Sequence, residues 1–75
     1  MTPLLAELRI RTYSARYGVY DDSRLLNERI KGIDSELRGV SPLSRKFKEL
    51  SQTRFDLKSY AESLDSLKQA STTQQ

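Results

Sequence analysis

Beyond Pro42 the chain contains no glycine or proline, and a leucine recurs at every seventh position, Leu43, Leu50, Leu57 and Leu64. An uninterrupted heptad run of this length reads as one long helix with a seam made to pack against another helix. Its spacing predicts a helix over residues 42–70, about 43 Å long at 1.5 Å per residue. No other part of this 75-residue chain can match it. Whatever else the chain does, it must cover that seam.

The breakers upstream divide the rest. Thr2 followed by Pro3 has the form of an N-cap and a proline at the first helical position, where a missing N–H costs nothing. Gly18 is placed to close that helix in the left-handed conformation. Asp21, Asp22 and Ser23 then supply cap oxygens and negative charge for a second start. Gly39 ends this second helix, and Ser41 with Pro42 repeats the cap-then-proline signal. Helices over 3–17, 22–38 and 42–70 follow, in one domain spanning 1–70, with a disordered polar tail over 71–75. The predicted fold is all-α: a long antiparallel hairpin of the second and third helices with coiled-coil-like packing, and an additional N-terminal helix alongside or end to end.

Leu26, Ile30, Ile33 and Leu37 form the stripe by which the second helix would meet the third. On the third helix the track four places after each leucine holds Phe47, Arg54, Ala61 and Lys68, and no basic region precedes the seam. Two charges on the core track and the missing basic region set it apart from a leucine zipper. Tyr60 and Leu67 widen the apolar stripe towards the C-terminal end, where a 25 Å second helix would be running out. Either the first helix or a second polypeptide must shelter Leu57, Tyr60, Leu64 and Leu67.

The first helix has two apolar faces. Leu4, Leu5, Leu8 and Ala15 fall on one side at 100° per residue, and Ala6, Ile10, Tyr13 and Tyr17 on nearly the opposite side. Arg9 and Arg16 share the border between them. Tyrosine and arginine are the residue types that concentrate binding energy at protein interfaces, so Arg9, Tyr13, Arg16 and Tyr17 are expected to contact a partner. Phe55, opposite the leucine seam, is expected to join them, and Tyr60 and Leu67 to extend the exposed end.

A short chain with little core ordinarily gains stability from disulfides, a metal, regular helix packing or a second chain. This sequence contains neither cysteine nor histidine, which removes disulfides, the commonest metal ligands and the commonest general base. No cofactor or metal is expected, and no nucleophile–base pair or glycine-rich phosphate loop suggests an enzyme. The expected function is therefore protein binding, as an assembly or regulatory subunit forming a homodimer or a heterocomplex. With no signal-like apolar run and no membrane-spanning stretch, the expected compartment is the cytoplasm.

Net charge is +3, divided as +1 over residues 1–40 and +2 over 41–75. Arg45, Lys46 and Lys48 crowd the start of the third helix, where the helix dipole disfavours them. They are expected to pair with Asp34 or Glu36, or to meet an anion or nucleic acid. A nucleic-acid-binding regulator using these three with Arg9 and Arg16 is the rival reading, but acidic residues interleaved with the basic ones cancel much of the field.

Overall fold

In a computed structural model, which describes residues 3–73, the chain forms three helices: α1 (Pro3–Tyr17), α2 (Ser23–Arg38) and α3 (Arg45–Thr73). No strand occurs among the described residues. The fold is all-α, with α1 and α2 both packed on α3, and it measures 48 × 19 × 19 Å. None of the helices is long and apolar enough to cross a membrane.

The local signals account for most boundaries. Asp22 has an extended backbone and accepts the Arg24 amide at 2.9 Å, so it is the N-cap of α2 and lies one residue before the helix. Gly18 has φ +98°, the left-handed turn that releases the chain from α1. The Thr2 cap lies outside the described residues.

The start of α3 differs from expectation. Pro42 sits in a turn in which the Ser44 amide and hydroxyl both donate to the Ser41 carbonyl, at 3.0 and 2.7 Å. Proline suits such a turn because its φ is already set. Ser44 then caps the helix by accepting the Phe47 amide at 3.1 Å, and α3 begins at Arg45 rather than at residue 42. Leu43, the first leucine of the heptad run, is consequently outside the helix and 98% exposed. At the other end, residues 71–73 continue α3 instead of forming a tail; residues 74 and 75 lie outside the described ones.

Two pairs of anchors set each helix direction. Ser23 meets Asp65 and Asp34 meets Arg54, so α2 runs antiparallel to α3. Tyr17 meets Asp56 and Tyr13 stacks on Tyr60, so α1 also runs antiparallel to α3. Hence α1 and α2 point the same way and overlap the same half of α3, and residues 18–22 carry the chain back between them. Tyr20 and the long side chain of Arg29 occupy this gap, with the Arg29 guanidinium donating to the Tyr20 hydroxyl at 3.0 Å and lying 5.9 Å from the Tyr17 ring centroid. Of the two arrangements expected for the first helix, it lies alongside.

The core follows from this overlap. Leu26, Ile30 and Ile33 of α2 close on Leu57, Tyr60 and Ala61 of α3, with Ile10, Tyr13, Tyr17 and Tyr20 packed against the cluster. Leu57 and Tyr60, expected to be sheltered by the first helix or by a second polypeptide, are both fully buried within their own chain. Leu64 and Leu67 are half-buried. The thinly covered half is the other one, where Phe47 and Leu50 have only the end of α2 above them.

Candidate interaction face

The inner face of α1 is consumed by the fold. Ala6, Ile10, Tyr13 and Tyr17 recur at four, three and four residues, one continuous stripe along the helix. On α3, Asp56, Ser59, Tyr60 and Ser63 share one helix face, and all four are buried. Tyr13 stacks on Tyr60 with ring centroids 5.9 Å apart and planes at 29°. Tyr20 meets the same ring edge-on at 5.8 Å.

Two polar anchors fix this contact. Asp56 is 5% exposed and accepts from the Tyr17 hydroxyl, from Arg16 at 3.3 Å and from Gln52 at 3.1 Å. A buried carboxylate is costly unless its lone pairs are occupied, and three donors occupy them. Burial, then the bond to Asp56, raises the Tyr17 pKa above 10.0. Arg16 is held still more firmly in its charged form by its contacts with Tyr17 and then by Asp56. The second anchor is the Tyr60 hydroxyl, which donates to the Gly18 carbonyl at 3.0 Å and accepts the Tyr20 amide at 3.1 Å.

Tyr13 and Tyr17, expected to face a partner, therefore face α3, and Tyr60, expected at an uncovered end, lies at the centre of the core. Arg16 keeps a wet guanidinium, its side chain 62% exposed. Arg9 is half-buried on the same flank of α1 and joins no ion pair among the described residues. Phe55 is 63% exposed, on the outer side of α3 where the sequence places it. Leu67 is half-buried.

The cations at the start of α3 do not take the partners expected of them. Arg54 engages Asp34. Arg45, Lys46 and Lys48 are exposed and join no ion pair among the described residues. With Leu43 they form the surface of the hairpin tip.

The opposite face of α1 is open. Leu4 is 68% exposed, Leu5 41% and Leu8 53%. Thr12, on the same side, donates its hydroxyl to the Leu8 carbonyl, and Ser14 donates to the Arg11 carbonyl, each at 3.1 Å. Back-bonding of this kind satisfies a hydroxyl without water. The two-faced pattern of α1 made these residues visible in the sequence. What it lacked was a local signal for which face turns outward.

Searches against protein-family models, curated proteins and solved structures found no match to this chain.

Proposed function

We propose that the chain is a non-enzymatic protein-binding module, an assembly or regulatory subunit of the cytoplasm, that docks through the outer face of α1. The observation that carries this reading is the exposure of Leu4, Leu5 and Leu8 together on a helix whose other face packs against α3. Isolated exposed leucines are ordinary, whereas several on one helix face mark an interaction surface. Arg9 and Arg16 border this face. Their stems can cover apolar surface while their charges steer a partner. Phe55, exposed on α3 level with the C-terminal end of α1, is a separate apolar contact candidate.

A photoreactive amino acid in place of Leu8, activated in cells of the native source, tests the proposal. A protein adduct that disappears when Leu4 is changed to Glu is the expected outcome. Absence of any protein adduct at this position, with the helices intact by circular dichroism, would refute it.

The unpaired state of Arg45, Lys46 and Lys48 favours a second reading, a nucleic-acid-binding regulator contacting phosphate through the hairpin tip. Glu36 and Glu49 beside them weaken the local field. Affinity for a duplex or single strand that collapses as salt rises, and that is lost on changing Lys46 and Lys48 to Glu, would establish this reading over the first.

A further inference from the structure

We propose that the hairpin tip binds an anionic lipid surface, with Leu43 entering the bilayer and Arg38, Arg45, Lys46 and Lys48 meeting the headgroup phosphates. This goes beyond docking through α1 and does not depend on it, because the tip lies past the C-terminal end of α1.

Positive charge is concentrated at this end of the molecule. Residues 38–48 hold four basic side chains and no acidic one. The whole chain has 13 basic and 10 acidic residues, so everything outside the tip carries nine and ten, a net −1. The excess of +3 therefore resides in the tip alone. All four cations are exposed, and none joins an ion pair among the described residues. Glu36 and Glu49 flank the segment without pairing to it. Cβ atoms on a helix lean towards its N-terminus, so Arg45, Lys46 and Lys48, within the first four residues of α3, lean towards the turn.

Shape and polarity then select the partner. Residues 39–44 join the antiparallel α2 and α3, so the turn is one end of a rod 48 Å long and 19 Å across. There Leu43 is 98% exposed, more than any other large apolar residue among the described ones, and Pro42 beside it is exposed as well. The backbone that carries Leu43 is already bonded within the turn: its amide donates to the Ser41 hydroxyl at 3.4 Å, and the Ser44 amide and hydroxyl donate to the Ser41 carbonyl. Polar groups satisfied in this way are cheaper to remove from water. A nucleic acid would offer phosphate to the cations and nothing apolar to the leucine. A protein would need a concave pocket shaped to a protruding turn. An anionic bilayer supplies phosphate at its surface and hydrocarbon beneath, in a plane that the blunt end of a rod meets without a matching cavity. Clusters of four or more Lys and Arg are the electrostatic footprint of anionic lipid, and a small apolar insertion combined with such a cluster gives reversible binding. No helix of the chain crosses a membrane, so the contact is peripheral.

Co-sedimentation of the full chain with vesicles tests the proposal. At about 0.1 M salt the chain is expected to pellet with phosphatidylcholine vesicles containing about one-quarter phosphatidylserine, and not with pure phosphatidylcholine. Lys46→Gln and Lys48→Gln should each weaken binding about fivefold, and Leu43→Gln about tenfold or more, all with unchanged helicity. The chain contains no tryptophan, so Leu43→Trp reports the tip alone. Its emission should shift to the blue on adding the anionic vesicles and be quenched by brominated acyl chains. Failure to pellet with anionic vesicles overturns the proposal. Pelleting with an unshifted indole emission and with Leu43→Gln binding as the wild type does also overturns it, because the cations then act only as a general attraction. Binding to a duplex or single strand that needs Lys46 and Lys48, without binding to vesicles, overturns it in favour of the nucleic-acid reading. The Leu8 photoadduct on α1 is decided separately from all of these results.

Discussion

The Tyr60 hydroxyl donates to the Gly18 carbonyl across 42 positions of sequence, and through that bond the core of α3 holds the segment that returns the chain from α1 to α2. The same oxygen accepts the Tyr20 amide. One side chain thus satisfies two backbone groups of a segment that has no ladder of its own.

Tyr60→Phe keeps the ring and removes only this bridge. Two partly buried backbone groups lose their partner, so urea unfolding monitored by helicity should show a loss of about 1–3 kcal/mol. A variant as stable as the wild type would mean that water replaces the hydroxyl at no cost.

Gly18→Ala isolates the turn itself. An added Cβ meets nothing within 4 Å, yet φ is +98°, so the penalty is conformational rather than steric. A loss of about 1–2 kcal/mol is expected, with little change in the helicity of the folded state. An unchanged midpoint would show that the turn relaxes to negative φ.

Tyr17 predicts how stability responds to alkali. Burial and the Asp56 bond raise its folded pKa above the ordinary 10.0, so the folded state holds this proton more tightly than the unfolded one. The contribution is complete below pH 10.0 and is lost as pH rises through the raised folded value. Stability measured from neutral to strongly alkaline pH should show the wild type converging on Tyr17→Phe. A constant gap between the two would contradict the shift.

Asp22 acts in the opposite direction. The Arg24 backbone amide, then the Arg24 side chain, lowers its pKa below 3.8. Its stabilisation is present above that ordinary value and disappears as pH falls through the lowered folded value. Asp22→Asn, which keeps a cap oxygen without the charge, should therefore flatten this part of the acid limb of the stability curve. An acid limb superimposable on that of the wild type would remove Asp22 from the account.

Leu57 and Phe55 stand two residues apart with opposite fates, fully buried and 63% exposed. Leu57→Ala should cost about 2–5 kcal/mol through lost transfer energy and the cavity left behind. Phe55→Ala should stay within about 0.5 kcal/mol. Thermal melts of the two variants decide the point, and a large loss for Phe55→Ala would place it in the core.

The boundaries of α1 and α2 are legible in the sequence because each rests on a signal one or two residues away: Pro3, Gly18, Asp22 and Gly39. At the start of α3 two serine-led signals stand three residues apart. Pro42 fits a turn as well as a first helical turn, and only the hydroxyl geometry of Ser41 and Ser44 separates the alternatives. The burial of Ile30 and Ile33 and the exposure of Phe55 are also legible, since helical periodicity assigns faces without reference to distant residues.

By itself the sequence determined three helices, the seam between α2 and α3, and an α1 with two apolar faces. The tertiary structure decided which of those faces turns inward. Tyr13 and Tyr17 belong to a stripe running the full length of α1, and their rings offer more area to bury than leucines gathered in its first half. The Tyr17 hydroxyl finds its acceptor in Asp56 of α3 and the Tyr13 ring stacks on Tyr60, partners about 40 residues away that no local pattern announces. The same distant bonds settle the direction of α1, because a backbone segment can return between two helices only where something such as Tyr60 satisfies its amides and carbonyls. Helix identity is a property of neighbours in sequence; the choice of buried face is a property of the whole molecule.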